Sequence, residues 1–357
     1  MNDKQQKNIE VFEDTQQFYQ TDPALIKAIE ESRKGTELYR EDIYPELPVV
    51  GTIERLWLVA DDPNGSLGAQ GAAMDAIEAI RNGAPNDPVI HGQEIRMDNA
   101  RTLEAAMQLH KEFPDKKIAV LNFASATNPG GGVKRGSSAQ EEALCRCSTL
   151  YPTLNQGFLW DHYYNKNRAA HNALYNDGLI YSPGVVICKT DEKHPKRLPQ
   201  DQFVTIDVIS CAAPNLRSKP SNIYNPAAGN PVKVTAQQLY EIHLKRAMHI
   251  FHIAAYNKVD ILVLGAFGCG AFENDPDVVA KAWRMAQTYY RNRFDVIEYA
   301  IPKTAYDSRN YDAFHRNLWM LLQEESTEKT EASDDFRAER FTAQEGDFVW
   351  VKYPEES

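Results

Sequence analysis

Three consecutive glycines and two adjacent glutamates stand close together near the middle of this chain. Gly130-Gly131-Gly132 is followed, after a seven-residue spacer, by Gln140-Glu141-Glu142. Glycine has no Cβ, so this part of the backbone can approach a ligand closely and can adopt positive φ values. A carboxyl group can give a proton to a leaving oxygen or accept hydrogen bonds from hydroxyls. The segment therefore combines access for a ligand with a candidate acid.

The two glutamates fall at the predicted start of a helix that runs on from Gln140. Adjacent helical residues point about 100° apart, so Glu141 and Glu142 cannot flank a glycosidic bond from opposite faces. One of them can still protonate a leaving oxygen while the other holds sugar hydroxyls. The alternative is that both carboxylates only complement the helix dipole. For the pair taken alone, that alternative is favoured.

A second glycine-rich loop, 265–272, follows an apolar segment and precedes a helix marked by Asp275-Pro276. Its glycines can turn backbone N–H groups toward a diphosphate. The spacing is neither the dinucleotide fingerprint nor a phosphate loop with Gly-Lys-Ser/Thr, so a tight turn with close helix packing is the alternative. The two phenylalanines, Phe267 and Phe272, are more typical of core side chains than of base-stacking ones.

Strand and helix patterns alternate along most of the chain. The predicted strands are 49–59, 89–97, 117–123, 178–187, 203–211, 259–264 and 296–301, and the predicted helices are 22–38, 72–80, 102–113, 237–256, 276–291 and 311–322. Several strands are apolar throughout, which is typical of a largely parallel sheet covered by helices on both faces. Ligands of such sheets bind beyond the carboxyl ends of the strands, where both glycine-rich loops fall.

Composition places the chain among globular proteins. Of its 357 residues, 43% are hydrophobic and 25% are charged, which is ordinary for folded domains. The formal net charge of −11 argues against general binding to nucleic acids or anionic membranes, since both require basic surfaces. It leaves open one anionic ligand held by backbone N–H groups. No segment approaches about 18 consecutive apolar residues, so no membrane span is expected.

The N-terminal residues lack the apolar stretch of a secretory signal, and the five cysteines are scattered and odd in number. Both features favour a reducing compartment, and we expect a cytoplasmic protein, with the nucleus as the alternative in a eukaryotic cell. Cys145 and Cys147 have no second pair at the spacing of zinc ligands. We expect neither a metal nor another cofactor.

The order of these motifs resembles that of microbial-type poly(ADP-ribose) glycohydrolases, a branch of the macrodomain superfamily. That family's signature is three glycines, a short spacer and Gln-Glu-Glu, as in 130–132 and 140–142 here. The match continues in 122–129, 148–151, 181–183, 213–215 and 265–276, and it covers roughly residues 40–320. The resemblance implies a three-layer α/β/α macrodomain with a mixed, largely parallel sheet, preceded by an N-terminal helical extension.

The resemblance also implies an exo-acting glycohydrolase that releases ADP-ribose from poly(ADP-ribose). In such an enzyme Glu142 is the general acid for the ribose–ribose bond, and Glu141 binds hydroxyls of the reacting ribose, beside Asn128. The other candidate substrate contacts are Gly130, Gly131, Gly132, Gln140, Phe267, Gly268, Cys269, Gly270 and Phe272. The expected partners are the polymer or an ADP-ribosylated protein as substrate and ADP-ribose as product. The adenine contact is expected near Asp98 or Thr102.

Three other functions stay open: removal of single ADP-ribose units, ADP-ribose binding without hydrolysis, and a nucleotide-binding scaffold without glycosidase activity. The glutamate pair argues against pure binding, because binding requires no acid. Along the chain we expect an N-terminal accessory region at 1–88 packed on the core, a catalytic core at 89–322, and an acidic tail at 323–357 that is solvated or disordered.

Overall fold

The computed structural model describes residues 3–41, 43–47, 93–221, 225–290 and 293–327, except for the side chains of 319–327. The predicted strand 49–59, the predicted helix 72–80 and the tail beyond 327 lie outside the described residues. Up to Trp319, the described residues belong to one compact unit. The predicted region boundaries at 88 and 322 stay predictions.

Among the described residues, a seven-stranded mixed sheet forms the middle layer. Its strands are β1 (Glu37–Tyr39), β2 (Glu94–Asp98), β3 (Ile118–Phe123), β4 (Leu179–Ile187), β5 (Val204–Cys211), β6 (Ile261–Leu264) and β7 (Val296–Ala300). The strand order is β1-β4-β5-β3-β6-β7-β2. All pairs from β5 to β2 are parallel, whereas β4 is antiparallel to both of its neighbours. This confirms the predicted mixed, largely parallel sheet.

Helices flank the sheet, and the best-defined ones begin where their capping residues predict. The helices are α1 (Asp3–Thr21), α2 (Pro23–Gly35), α3 (Thr102–Glu112), α4 (Gln140–Cys147), α5 (Leu150–Leu154), α6 (Gly157–Leu159), α7 (Asn165–Ala170), α8 (Ala236–Tyr256), α9 (Pro276–Tyr289) and α10 (Arg309–Thr327), with a π-helical turn at Trp160–Tyr164 and 3₁₀ turns at Val133–Arg135 and Gln200–Gln202. The Asp22 and Asp275 carboxylates accept hydrogen bonds from backbone N–H groups in the first turns of α2 and α9, and a proline follows each. Side-chain capping and a first-turn proline thus start both helices.

Apolar clusters fill both faces of the sheet. On one face Leu121 packs in a cluster with Phe251 of α8 and Trp283 of α9. On the other face Val120 packs with Leu103 of α3 and with further residues of α3 and α4. Successive residues of a strand point to opposite faces, so a strand covered on both sides must be apolar throughout. This is why β3 and β6 have continuous apolar sequences, and the three-layer α/β/α architecture is confirmed.

The sequence pattern does not reveal α1, because most of this helix is polar. Its buried side chains are Phe12, Thr15 and Tyr19. The helix is anchored by contacts with residues far along the chain: the buried ammonium of Lys189 lies 2.6 Å from the Asp14 carboxylate. A helical extension at the N-terminus is therefore present. Of the helices that the structure describes, none is long and apolar enough to cross a membrane.

Candidate active site

The triple glycine forms a tight loop after β3 that wraps around the glutamate pair of α4. Gly130 and Gly131 have φ values of 68° and 57°, which favour glycine because other residues are strained there. At Gly131 a Cβ would lie 2.5 Å from Glu142 Oε1 and 2.9 Å from Glu141 Oε2. The glycines therefore allow the backbone to approach both carboxylates more closely than any side chain would permit.

Glu141 is buried and its carboxylate is bound by the protein. Its Oε1 accepts hydrogen bonds from Gly130 N at 3.1 Å and Asn122 Nδ2 at 3.5 Å, and its Oε2 accepts one from Ser125 N at 2.8 Å. Burial, and then the neighbouring Glu142 carboxyl, raise the pKa of Glu141 well above its usual value. Glu141 lines the cleft. Its carboxylate also links Ser125 and Gly130, two residues of the loop that follows β3.

Glu142 differs from Glu141 in having one carboxylate oxygen that is not engaged. Its Oε1 accepts a hydrogen bond from Gly132 N at 2.8 Å. Its Oε2 is buried and finds no hydrogen-bond partner among the described residues. Glu142 lines the cleft, and an unpaired buried oxygen is costly unless a ligand or a proton satisfies it. Among the described residues, it is the one carboxylate oxygen of the glutamate pair that no hydrogen-bond donor engages.

Gln140 fixes the start of α4 against the sheet. Its Oε1 accepts a hydrogen bond from Phe123 N at 2.8 Å, and its Nε2 donates to Leu121 O at 2.7 Å and to Thr102 Oγ1 at 3.1 Å. The side-chain amide is thus bound to the protein on both sides. Gln140 lines the cleft, but its geometry is that of a brace that sets the position of the two glutamates.

Asn128 lines the cleft beside the glycines, and Arg168 holds its side chain. Arg168 Nη2 donates to Asn128 Oδ1 at 2.8 Å. The guanidinium of Arg168 lies 5.2 Å from the ring centroid of Trp160, at the start of the π-helical turn. Turns of this type occur mostly inside helices and are frequent at functional sites. Sequence reasoning missed Arg168, because no pattern predicts a π-turn or a contact across 40 residues.

The second glycine loop exposes unused backbone donors. Gly268 has a φ of 79°, and a Cβ there would lie 2.6 Å from the Ala213 side chain. No described residue accepts a hydrogen bond from the backbone N–H of Gly268, Gly270 or Ala271. Neighbouring backbone N–H groups of this kind form a site for a phosphate.

A buried amide holds this second loop in place. Asn274 Nδ2 donates to the carbonyl oxygens of Pro214, Gly268 and Phe272, and His243 Nε2 lies 2.8 Å from Asn274 Oδ1. Burial lowers the pKa of His243 to about 3, so the ring is neutral. The loop is thus fixed from behind by groups that carry no charge.

The structure places two of the candidate contact residues away from the cleft. Phe267 and Cys269 are fully buried, and neither is among the described residues that line the cleft. Phe267 packs edge-on against Phe123 and Trp283 in the core, and Cys269 N donates to Ala266 O within the turn. Because Phe272 does line the cleft, the two phenylalanines have different roles. Phe267 packs in the core, and a contact from it to a ligand stays a prediction.

Helix α1 braces the spacer that links the glycines to the glutamates. Asn8 Nδ2 donates to Gly136 O at 2.9 Å, and Thr15 Oγ1 donates to Arg146 O at 2.5 Å. Gly136 has a φ of 73°, and a Cβ there would overlap the backbone of Gln5. The spacer is therefore clamped between α1 and α4.

The two loops face one another across a single cleft of about 820 Å³, a size typical of ligand sites. The candidate residues that line it are Asn128, Gly131, Gly132, Gln140, Glu141, Glu142, Gly268, Gly270 and Phe272. Gly130 contributes through its N–H group, which holds Glu141. Of the two residues suggested for the adenine contact, Thr102 lies on the cleft, while Asp98 is not among the described lining residues.

Fold and site together define an α/β/α macrodomain with a buried pair of glutamates at a cleft suited to a phosphorylated sugar. The family model of the microbial-type poly(ADP-ribose) glycohydrolase catalytic domain matches residues 7–190, and the chain belongs to this family.

Solved structures agree with this assignment. Poly(ADP-ribose) glycohydrolase from Thermomonospora curvata is 27% identical, with 87% of this chain and 99% of that chain covered and a TM-score of 0.63. The enzyme from Deinococcus radiodurans, solved in complex with ADP-ribose, is 29% identical, with 82% and 98% covered and a TM-score of 0.59. No curated protein sequence matches this chain.

Proposed function

We propose that this protein hydrolyses the ribose–ribose bonds of poly(ADP-ribose) from the chain end, releasing ADP-ribose, with Glu142 as the general acid. One observation carries the assignment of the acid. Of the four carboxylate oxygens in the glutamate pair, three accept hydrogen bonds from backbone N–H groups, and Glu142 Oε2 accepts none from any described residue.

The position of the proton follows from these contacts. Gly132 N–H engages Glu142 Oε1, whereas Glu142 Oε2 is buried and accepts no hydrogen bond from any described residue. We assign the transferred proton to Glu142 Oε2, from which it passes to the glycosidic oxygen of a bound substrate.

The reaction then balances with water as the only other reactant. As the C–O bond of the terminal ribose breaks, the leaving oxygen takes the proton from Glu142, and the ribose develops oxocarbenium character. The negative charge left on the pair stabilises that cation. Water adds to the anomeric carbon and returns a proton to Glu142. Asn128 and the glycine backbone hold the ribose during these steps, and the N–H groups of Gly268 and Gly270 hold the diphosphate.

The expected partners follow from the same site. The substrate is the polymer or an ADP-ribosylated protein, and the product is ADP-ribose. A cleft of about 820 Å³ falls within the range of single-ligand sites, which supports exo action. The charge of −11 opposes general binding to nucleic acids or anionic membranes. All five cysteines are free and buried, which supports a reducing, cytoplasmic location.

The test compares the unsubstituted protein, Glu142→Gln and the exposed control Glu30→Gln. Release of ADP-ribose from poly(ADP-ribose) is followed by chromatography, and ADP-ribose binding is followed by calorimetry. We expect Glu142→Gln to lose turnover by at least about a hundredfold and to keep its ADP-ribose affinity, because only the acid is removed. Equal turnover in Glu142→Gln and Glu30→Gln would place the acid elsewhere. Faster cleavage of mono-ADP-ribosylated protein than of polymer would favour the alternative hydrolase.

A further inference from the structure

Three arginines line the cleft, and they differ in what surrounds their charges. Arg101 forms an ion pair with Asp191 at 2.8 Å, and Arg135 has an interaction of its own. Arg217 has no carboxylate partner within the part of the chain that the structure describes. Arg217 thus lines the cleft with no carboxylate among the described residues to balance its charge.

Neutral groups hold Arg217 in a fixed orientation. Its Nε donates to Asn215 Oδ1 at 3.0 Å, and its Nη2 donates to Pro220 O at 2.9 Å. Asn215 is fully buried, and its Nδ2 donates to the Tyr175 hydroxyl at 3.2 Å. Neutral acceptors orient a guanidinium without cancelling its charge. The Nη1 group finds no acceptor among the described residues, so two N–H donors are available to an anion.

Arg217 is also tied to the second glycine loop. Leu216 N donates to Phe272 O at 3.0 Å, and the Arg217 guanidinium lies 5.7 Å from the Phe272 ring centroid. Tyr175, whose ring lies 6.2 Å from that of Phe272, has a φ of 59°. A residue other than glycine is strained in this conformation, and strained residues cluster at functional sites. These contacts hold Arg217 next to the glycine loop that carries the unpaired N–H groups of 268, 270 and 271.

A full positive charge would add to the binding of a diphosphate in this cleft. The chain carries a net charge of −11, and the cleft contains Glu141 and Glu142. The backbone donors of the glycine loop supply only partial charges. We propose that Arg217 is a phosphate-binding residue, and that its guanidinium binds the diphosphate of the ADP-ribosyl unit whose distal ribose faces the glutamates. This assignment rests on the proposed function, since it takes an ADP-ribosyl group as the ligand.

The test uses Arg217→Met, which keeps the apolar stem, and Arg217→Lys, which keeps the charge. The matched control is Lys219→Met, which removes the same charge from an exposed site on the same segment. Calorimetry measures the ADP-ribose affinity over a range of sodium chloride concentrations. We expect Arg217→Met to weaken binding about tenfold to a hundredfold, as for a charged hydrogen bond. We expect Lys219→Met to bind like the unsubstituted protein.

Two further readouts separate binding from packing. Salt should weaken ADP-ribose binding less in Arg217→Met than in the unsubstituted protein, and Arg217→Lys should keep the original salt dependence. With polymer as substrate, KM should rise in Arg217→Met while kcat changes little, because the diphosphate contact is the same in the ground and transition states. An unchanged affinity in Arg217→Met, the same loss in Lys219→Met, or a loss without any change in salt dependence would each overturn the assignment.

The outcomes for Arg217 and for the proposed hydrolysis are distinguishable. Arg217-dependent binding of ADP-ribose with no release of ADP-ribose from polymer supports the phosphate contact and rejects the hydrolase. Full hydrolysis by Arg217→Met with unchanged KM supports the hydrolase and rejects the phosphate contact. If the unsubstituted protein does not bind ADP-ribose, both proposals are rejected.

Discussion

Gly131→Ala tests whether the backbone of the glycine loop must touch the carboxylates. The new Cβ would lie 2.5 Å from Glu142 Oε1. Ordinary contact begins at 3.4 Å, so this oxygen must retreat by about 0.9 Å. The movement breaks the hydrogen bond from Gly132 N, which is 2.8 Å long, and displaces Oε2 from its place. A misplacement of about 1 Å can lower a rate about a hundredfold, and we expect a loss of that size in kcat.

Gly184→Ala is the matched control, because it separates backbone strain from the steric clash. Gly184 has a φ of 68°, close to the 57° of Gly131, but no atom lies within 4 Å of its added Cβ. Each substitution should lower the free energy of unfolding by about 1–2 kcal/mol, the cost of a left-handed conformation. Denaturant unfolding and initial rates of ADP-ribose release are measured on both variants. Equal kcat in Gly131→Ala and Gly184→Ala would refute the role assigned to this contact.

Three further predictions concern residues around the site. Arg168→Met should lower kcat/KM for polymer hydrolysis about tenfold, because it removes the hydrogen bond that orients the Asn128 side chain. An unchanged kcat/KM would contradict this role of Arg168. Burial raises the pKa of Glu298 to about 7, so its protonated carboxyl adds stability that is fully present below pH 4.5 and lost as the pH rises through 7. Glu298→Gln should therefore lose less stability than the unsubstituted protein when urea unfolding at pH 4.5 is compared with unfolding above pH 7, and identical losses would contradict the assignment. Gly136→Ala should lower the midpoint of thermal unfolding, because the added Cβ overlaps the backbone of Gln5, and backbone cannot move aside as a side chain can. An unchanged midpoint would show that α1 can shift without loss of stability.

Local sequence signals predicted the framework of this protein well. Continuous apolar runs located the central strands, since a strand covered on both faces needs apolar residues on both. Asp22 and Asp275, each followed by proline, located two helix starts. The rule that ligands bind beyond strand ends brought both glycine loops to one cleft. These signals work because each depends on neighbouring residues alone.

Contacts between distant residues account for what the sequence did not predict. Arg217 and Arg168 look like ordinary surface arginines until folding shows their partners. The roles of Phe267 and Phe272 also depend on tertiary position, because both lie in the same loop and differ only in which side they face. Burial of Glu141 behind three N–H donors likewise emerges only from the assembled loop. No periodicity in the sequence encodes such pairings.

The position of α1 determines how this protein should lose activity on heating. The helix meets the site through a few anchors, among them the Asn8 and Thr15 hydrogen bonds to the spacer and α4, whereas the sheet is buried on both faces. Segments with few buried contacts open at lower free energy than the core. Mild heating should therefore release α1 and loosen the spacer while the sheet is still intact. Activity is then lost before the fold, and the N-terminal helix sets the temperature at which the enzyme stops working.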